Sequence, residues 1–263
     1  MIARESVRVP GNSLLSAVRS RAARSVSLSG RALKDPRVGL LVADGLLRGR
    51  HRPPSSVELS LQVASAAEVA RTERAFASAG SDKTTSHSYG PMYAALLQAL
   101  PHRPLILELG IGTNFTDVAC NMGTNGVPGA SLRAMRELRP DAFLFGADID
   151  KRVLFQEPSI MTYWVDQLDR TSLRSLSRNA AEQQGFDLVI DDGLHTKRSN
   201  LNSFEVLFPT VKPGGFYVVE DIDGTAITFW RGIIRRRRLL GTILDMREVR
   251  NWGLNVAVVI QAQ

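Results

Sequence analysis

Four acidic residues and one histidine follow shortly after two apolar runs of this chain: Asp191, Asp192, His195, Glu220 and Asp221. The runs, 186–190 and 215–219, are rich in β-branched and aromatic residues and are bounded by polar residues or glycine. This composition predicts buried parallel strands. Neighbouring strands lie about 4.8 Å apart, so three of the carboxylates can share one hard cation. The histidine beside them has the chemistry of a general base.

Each of these residues, taken alone, also fits a plainer role. Asp191 and Asp192 could cap the helix that follows them, Glu220 and Asp221 could lie in a solvated loop, and His195 could be an ordinary surface histidine. Their placement at the ends of consecutive predicted strands favours a shared site. Among the four acids, Asp191 is the one that we expect to support the site rather than to bind the cation.

A glycine-containing turn follows the first predicted strand, 105–108, in the pattern Glu108-x-Gly110-x-Gly112. Glycines at this position let the backbone turn tightly and approach a ligand at the carboxyl edge of a sheet. A dinucleotide-binding fingerprint would have a third glycine, but Phe115 stands there. The Glu108 carboxylate would repel a pyrophosphate but not a cofactor that carries an amino group and a sulfonium.

Polar residues also end the next two predicted strands. Asp148 ends the second strand, where an acid commonly accepts hydrogen bonds from ribose hydroxyls. Asp166 and Gln167 end the third strand, where a carboxylate and an amide could face the edge of an adenine. Each acid also fits a helix N-cap, but such residues at successive strand ends favour a nucleoside-binding site.

From residue 105 onward, predicted strands alternate with predicted helices, which is typical of a doubly wound α/β sheet. The predicted strands are 105–108, 142–147, 161–165, 186–190 and 215–219, followed by a hairpin of 241–246 and 255–261 around Trp252. The predicted helices are 57–79, 91–100, 131–138, 171–184 and 199–207. Lysine, proline and two glycines at 212–215 predict a turn before the fifth strand.

The basic charge of the chain is confined to its amino-terminal part. The 263 residues carry a formal net charge of +7; residues 1–53 contain 11 Lys/Arg against 3 Asp/Glu, and residues 54–263 contain 22 against 23. Breaker residues at 51–56 predict a linker. We therefore expect a basic helical extension over 1–55 and one α/β domain over 56–263. The extension is expected to be solvated or to pack against a second subunit, and contact with phosphates or anionic lipid is the alternative.

The rest of the composition predicts a cytoplasmic protein. Cys120 is the single cysteine, which excludes an intrachain disulfide and a cysteine-based zinc cluster. Residues 1–24 lack the apolar region of a secretion signal, and Asp44 and two glycines interrupt the apolar run 38–47, so we expect no membrane span. Arginine outnumbers lysine 28 to 5, a usage typical of high-GC genomes such as those of actinobacteria.

With these motifs, the chain resembles the class I S-adenosylmethionine-dependent methyltransferases. More narrowly, it is similar to the metal-dependent sugar O-methyltransferases of macrolide and actinobacterial glycan pathways, relatives of the cephalosporin-hydroxylase-like family. The resemblance covers roughly residues 80–222. The matching stretches are SDK (81–83), SHSY (86–89), the turn at 108–112, GASLR (129–133), GADIDK (146–151), DQ (166–167), DDGLH (191–195), SFE (203–205) and ED (220–221).

The resemblance implies a Rossmann-like, seven-stranded, mostly parallel sheet and assigns roles to individual residues. It implies that S-adenosylmethionine binds to Glu108, Gly110, Gly112, Ser131, Asp148, Asp166 and Gln167. It implies that Mg²⁺ is held by Asp192, Glu220 and Asp221, and that His195 is the general base. Coordination to the metal lowers the pKa of a sugar hydroxyl, and a histidine with a pKa near 6.5 can then take its proton.

The resulting hypothesis is an Mg²⁺-dependent O-methyltransferase that acts on a sugar hydroxyl of a glycoside, in a polysaccharide, a glycolipid or a macrolide. We expect a homo-oligomer and no nucleic-acid partner. The alternative is a nucleic-acid methyltransferase that uses the basic arm, but the chain has no Asn/Asp-Pro-Pro-Tyr/Phe stretch for base amines. A non-catalytic binding module and an NAD-linked oxidoreductase are further alternatives, and the missing third glycine argues against the oxidoreductase.

Three features have two interpretations each. Arg231 and the run 235–238 fit a solvated helix face or a contact with the acceptor. Phe229 and Trp230 fit the protein core or an acceptor pocket, because aromatic faces pack well on sugar rings. His87, in a polar loop between two predicted helices, fits either a simple connection or a segment that closes over the cofactor.

Overall fold

The computed structural model describes residues 63–181, 185–249 and 254–263 of the chain. The predicted basic extension, 1–55, and the domain boundary next to it lie outside these ranges. The same holds for the turn predicted around Trp252 and for the end of the helix predicted over 171–184. Within the described ranges, no helix is long and apolar enough to cross a membrane.

A single sheet forms the centre of the fold. Its strands are β1 (Leu105–Leu109), β2 (Phe143–Asp148), β3 (Gln156–Glu157), β4 (Ile160–Trp164), β5 (Phe186–Asp191), β6 (Val211–Val219), β7 (Leu240–Asp245) and β8 (Val256–Gln261). Their order across the sheet is β3-β4-β2-β1-β5-β6-β8-β7. The central pairs are parallel, whereas β3 and the β7–β8 hairpin pair antiparallel. The predicted mostly parallel sheet is confirmed, with the two-residue edge strand β3 as an eighth strand where seven were expected.

Helices cover both faces of this sheet. In the described part of the chain they are α1 (Ala66–Ala79), α2 (Gly90–Ala99), α3 (Ala130–Leu138), α4 (Arg170–Ala181), α5 (Lys197–Leu207) and α6 (Gly224–Arg237). The first three pack on one face and the last three on the other. Successive residues of a strand point to opposite faces of the sheet. Ile106 therefore packs in the core formed with α1–α3, and Leu107 packs in the core formed with α4–α6. Burial on both faces explains the near-continuous apolar runs of the central strands.

Helix α1 begins later than the predicted start at residue 57. Residues 63–65 are not helical, and the Ser65 side chain accepts a hydrogen bond from the backbone N–H of Glu68, while the Glu68 carboxylate accepts one from the N–H of Ser65. This reciprocal capping box satisfies two otherwise unpaired donors of the first turn and stabilises the helix by about 1 kcal/mol. The amphipathic pattern predicted the helix, but the cap sets its first residue.

The turn predicted at 212–215 lies inside β6, which begins at Val211. The pairing of β6 with β5 changes register between Phe186, which pairs with Val211, and Leu188, which pairs with Phe216. Gly214 in this irregular stretch has a φ of +85°. The proline and glycines therefore mark a bulge within the strand rather than a connection outside it.

Candidate active site

Three predicted site residues meet at the carboxyl edge of the parallel strands. Glu108 lies near the end of β1, Asp192 directly follows β5, and Glu220 directly follows β6. Strand β5 lies between β1 and β6 in the sheet, so the three carboxylates converge. Glu108 and Glu220 are fully buried. This edge is the place where open α/β sheets bind their ligands.

A buried lysine joins these three carboxylates. Lys83 lies on the short 3-10 turn Asp82–Thr84 between α1 and α2, and only 3% of its surface is exposed. Its Nζ atom donates hydrogen bonds to Oδ2 of Asp192 and Oε2 of Glu220. The same atom lies 3.3 Å from Oε1 of Glu108. Lys83 stands in the SDK stretch, but residue types and spacing alone predicted no contact for it.

The electrostatics of the cluster favour a cation. Burial raises the pKa of the Glu220 carboxyl to about 8, an effect that the Lys83 ammonium reduces and the Asp192 carboxylate increases. Burial also raises the pKa values of Glu108 and Asp221. Burial disfavours the Lys83 ammonium, but attraction to Asp192 and Glu220 outweighs it and holds the lysine pKa well above its usual value. The described part of the site therefore carries a protonated lysine and buried carboxyl groups whose ionised forms are disfavoured by burial. Additional positive charge would stabilise these ionised forms.

The residues present fit a divalent metal ion. One ligand atom from each of Asp192, His195 and Asp221 lies within 4.8 Å of the others, which is compact enough for one ion to contact all three. Glu220 is outside this group, and its Oε2 atom contacts Lys83 instead. The other oxygen of Glu220, Oε1, is buried and has no hydrogen-bond partner among the described residues. Carboxylate oxygens are the preferred ligands of Mg²⁺, and a cation would satisfy this oxygen.

Asp221 is held by two side chains from the loop between α1 and α2. The Tyr89 hydroxyl donates a 2.6 Å hydrogen bond to Oδ1 of Asp221, and Nδ1 of His87 lies 3.3 Å from the same oxygen. The two rings stack with centroids 5.2 Å apart. Asp221 also has a φ of +52°, a strained conformation for a non-glycine residue that its neighbours must stabilise. The structure thus gives the SHSY stretch a contact with a predicted metal ligand.

His195 faces the same cluster from the loop after β5. Its Nε2 atom lies 4.0 Å from Oδ1 of Asp192, and one fifth of its side chain is exposed. Its Nδ1 atom is buried and has no hydrogen-bond partner in the described ranges. The backbone φ of His195 is +54°, a left-handed conformation that non-glycine residues seldom adopt and that clusters at functional sites. A partly exposed imidazole beside carboxylates can accept a proton from a bound hydroxyl.

The glycine turn lies against the acidic loop. Gly110 and Gly112 have φ values of +79° and +82°. A Cβ atom at Gly110 would lie 2.2 Å from the backbone oxygen of Asp192. Ser131, near the start of α3, donates a hydrogen bond from its hydroxyl to Oε2 of Glu108. The structure therefore brings Glu108, both glycines and Ser131 together, next to the metal-binding candidates.

Asp148 lies on the other side of the glycine turn. Its Oδ1 atom accepts a 2.9 Å hydrogen bond from the backbone N–H of Asp150, and only 5% of the residue is exposed. Burial raises the pKa of Asp148, and backbone N–H groups of Asp150, Gly112 and Ile111 partly offset this rise. Asp148 is thus fixed against the backbone of the turn, at the strand end where a ribose was predicted to bind.

Gln167 differs from the expectation that its amide faces an adenine. Its Nε2 atom donates to Oδ1 of Asp191 at 2.7 Å and to Oγ of Ser203 at 3.0 Å. Its Oε1 atom accepts a 2.7 Å hydrogen bond from the backbone N–H of Leu194. Both amide donors are therefore used inside the protein, because the buried Asp191 and the loop before His195 require partners. The geometry connects Gln167 to the loop that carries His195.

Three other residues occupy structural positions. Asp191 is fully buried and accepts hydrogen bonds from Gln167 and Tyr217, consistent with the expected supporting role. Asp166 is half-buried, and its Oδ1 atom accepts a 2.8 Å hydrogen bond from the N–H of Leu168. Trp230 is fully buried in the core, where its ring packs edge-on against the ring of Phe204. It therefore does not line an acceptor pocket. The arginines at 235–238 are exposed at the end of α6.

Comparison with known proteins identifies relatives among sugar O-methyltransferases. Over 145 residues the chain is 34% identical to 8-demethyl-8-alpha-L-rhamnosyl tetracenomycin-C 2'-O-methyltransferase of Streptomyces olivaceus, a match over 55% of this chain and 35% of that protein. Over 94 residues it is 40% identical to demethylmacrocin O-methyltransferase of Streptomyces fradiae, covering 36% of this chain and 23% of that protein. The chain thus matches about a third or less of the length of these relatives. No family model matches the chain.

A solved structure shows the same fold. The MycE methyltransferase of the mycinamycin biosynthetic pathway, in complex with Mg and SAH, matches with a TM-score of 0.58 at 24% identity, over 73% of this chain and 55% of that chain. The chain is a homologue of sugar O-methyltransferases of macrolide and tetracenomycin biosynthesis and has the class I S-adenosylmethionine-dependent methyltransferase fold, as its motifs predicted. The wider kinship with the cephalosporin-hydroxylase-like family stays a prediction.

Proposed function

We propose that this protein is an Mg²⁺-dependent O-methyltransferase that moves a methyl group from S-adenosylmethionine to a sugar hydroxyl of a glycoside. The observation that carries the proposal is the position of Asp192, Asp221 and His195 at the same sheet edge as the turn Glu108-x-Gly110-x-Gly112. Methyl transfer to a weakly acidic hydroxyl needs a cation that activates the hydroxyl and a methyl donor bound next to it. A group of possible cation ligands in contact with a turn of the cofactor-binding type meets both needs. Homology to sugar O-methyltransferases supports the same reaction.

The metal ion would be held by Asp192, Asp221 and the unpaired Oε1 atom of Glu220. When bound, Mg²⁺ supplies Lewis-acid polarisation that lowers the pKa of a neighbouring hydroxyl. The protein itself sets the positions of these ligands. Tyr89 and His87 hold one oxygen of Asp221, and Lys83 holds one oxygen each of Asp192 and Glu220.

His195 would accept the proton of the acceptor hydroxyl. Its partly exposed ring lies beside Asp192, and the loop that carries it is fixed through the hydrogen bond from Leu194 N–H to Gln167. General-base assistance of this kind contributes roughly 10²–10⁴-fold to a rate. His195 has a left-handed backbone, with a φ of +54°, in the loop just before α5.

The cofactor would bind along the glycine turn. We assign Glu108, Gly110, Gly112 and Ser131 to its binding site, with Asp148 for the ribose; Asp166 stays a candidate contact for the adenine. The two glycines allow close backbone approach, and the buried Glu108 carboxylate suits a positively charged amino group. Of the seven residues expected here, Gln167 is the one whose hydrogen bonds argue against a direct contact.

The acceptor is proposed at the level of a class. The relatives are named for methylation of sugars on tetracenomycin and macrolide compounds, so a deoxysugar attached to a polyketide is the first acceptor to test. Glycolipid and polysaccharide sugars are the next. A cytoplasmic location and a homo-oligomeric state complete the proposal.

Mass spectrometry of a glycoside panel, incubated with the full chain, S-adenosylmethionine and Mg²⁺, tests the function. We expect a methylated glycoside and an equal amount of S-adenosylhomocysteine, loss of transfer in excess EDTA, and recovery with Mg²⁺. His195→Ala should reduce the rate by roughly 10²–10⁴-fold, whereas the exposed His102→Ala should not. Full transfer in excess chelator would refute the role of the metal. Full activity of His195→Ala would refute the role of His195 as general base. Methylation of RNA but of no glycoside would refute the proposed class of acceptor.

A further inference from the structure

The Lys83 ammonium takes no part in the proton transfer or the methyl transfer of the proposed reaction. It is nearly fully buried and touches Glu108, Asp192 and Glu220 with a single ammonium group. Lysine is seldom buried without a partner, and buried carboxylates without a counter-charge are costly. In the metal-free protein, Lys83 therefore supplies positive charge to the acids that a divalent ion would also need.

The geometry places this ammonium in competition with the ion. Asp192 belongs to the compact group of possible metal ligands, and its Oδ2 atom is held by Lys83. Glu220 presents Oε2 to Lys83 and leaves Oε1 unpaired. An ion that binds both carboxylates would lie close to the Lys83 ammonium, which contacts the same two groups. Two positive charges that share these carboxylates repel each other strongly in a buried site.

A third buried carboxylate, that of Glu108, lies within reach of the same ammonium. Oε1 of Glu108 forms an ion pair with Nζ of Lys83 at 3.3 Å and accepts no other hydrogen bond among the described residues. The flexible stem of lysine allows a small movement of Nζ toward this oxygen. Glu108, which is outside the compact group of possible metal ligands, thus offers Lys83 a buried counter-charge of its own.

We propose that Lys83 competes with the divalent ion for Asp192 and Glu220. Its ammonium holds these two carboxylates together in the metal-free protein and thereby limits the affinity of the site for metal. This inference rests on the metal-binding part of the proposed function. It assigns Lys83 a positioning role, because the lysine acts on the ion through the two carboxylates. It also explains why one buried lysine touches three acids at the same sheet edge.

Binding of Mn²⁺, followed by electron paramagnetic resonance and calorimetry without substrate, tests the proposal. Lys83→Met keeps most of the side-chain volume and removes the charge, so we expect its dissociation constant for Mn²⁺ to fall about tenfold or more. We expect its metal-free melting temperature to fall, and its gain in melting temperature on adding Mn²⁺ to exceed that of the wild type. Lys83→Arg keeps the charge and should bind Mn²⁺ no more tightly than the wild type.

A matched control is Lys212→Met. Lys212 also pairs with a buried carboxylate, Oδ2 of Asp187 at 2.8 Å, but at the opposite end of the strands. Its removal should leave the Mn²⁺ affinity unchanged. The double variant Lys83→Met/Glu108→Gln keeps the net charge of the wild type. It therefore tests the same prediction if Lys83→Met alone fails to fold. It should also bind Mn²⁺ more tightly than the wild type.

Unchanged or weaker Mn²⁺ binding in both Lys83→Met and the double variant overturns the proposal. If the wild type nevertheless transfers methyl groups in an Mg²⁺-dependent way, the proposed function stands and this inference alone fails. If no variant binds Mn²⁺, both the inference and the metal role fail. Tight Mn²⁺ binding by Lys83→Met together with undetectable binding by the wild type would support competition most strongly.

Discussion

The backbone oxygen of Asp192 lies where a side chain at position 110 would have to begin: a Cβ on Gly110 would approach it to 2.2 Å. Gly110 belongs to the proposed cofactor turn and Asp192 to the proposed metal loop. The two subsites therefore touch through their backbones. A methyl donor and a metal-bound acceptor must meet within a few ångströms for in-line transfer, and this contact holds the two binding elements at that range.

Gly110→Ala should destabilise the protein far more than an alanine at another left-handed glycine. The positive φ alone costs about 1–2 kcal/mol, and the clash with fixed backbone adds roughly 1–3 kcal/mol. Gly123→Ala is the matched control, because Gly123 has a φ of +73° but nothing within 4 Å of the position that a Cβ would occupy. Urea denaturation measures both; equal losses of unfolding free energy would show that the contact with Asp192 is unimportant.

Gln167→Leu separates the two roles considered for this residue. If Gln167 holds the loop, the variant leaves Leu194 N–H without a partner and removes one of the donors to the Asp191 carboxylate, and methyl transfer should fall at least about tenfold. Affinity for S-adenosylhomocysteine, measured by calorimetry, should change less than about threefold. A larger loss of cofactor affinity than of turnover would instead support the adenine contact. Gln156→Leu, an exposed glutamine on β3, is the control.

Tyr89→Phe should weaken metal binding without unfolding the protein. The Tyr89 hydroxyl donates to Oδ1 of Asp221 and leaves Oδ2 for an ion. Loss of a partner that orients a metal ligand typically costs 10–100-fold in affinity, and we expect about tenfold for Mn²⁺. Tyr93→Phe is the control, because the buried Tyr93 hydroxyl has no hydrogen-bond partner in the described ranges. Equal Mn²⁺ affinity in the two variants would contradict the role of Tyr89.

The strands and the acids at their ends could be predicted because each depends on local pattern. The apolar run 186–190 lies in β5 and is buried on both faces, and the acids follow it as the pattern indicates. Strand ends near Glu108 and Asp148 were likewise placed within one residue. Such predictions need only the period of hydrophobicity and the polar residues that interrupt it.

The contacts of Lys83 and Gln167 could not be predicted in the same way. Lys83 is 109 residues from Asp192 and 137 from Glu220 in the chain, so its position depends on how α1 and α2 pack on the sheet. Gln167 was placed at the correct strand end, but its amide can donate to a ligand or to the protein. The buried Asp191 decides between these, and its burial is visible only in the folded chain.

The stability of the metal-free protein should fall as pH rises from about 5 to 8. Burial raises the pKa of Glu220 to about 8 in the folded state, whereas an unfolded glutamate has a pKa near 4.3. Between these values the folded state binds the proton more tightly, so the free energy of unfolding decreases with pH and the contribution is lost above pH 8. Glu108 and Asp221 act in the same direction, because burial raises their pKa values too.

Urea denaturation in EDTA at pH 5, 6, 7 and 8 measures this slope. Glu220→Gln removes the buried carboxyl whose pKa is raised to about 8, so the stability of this variant should depend on pH less steeply than that of the wild type. Glu137→Gln, an exposed glutamate on α3, should keep the wild-type slope. Saturating Mn²⁺ should stabilise the wild type increasingly as pH rises, since metal ligands must be deprotonated to bind. An identical slope for the wild type and Glu220→Gln would mean that Glu220 is already ionised in the metal-free fold, with Lys83 as its complete counter-charge.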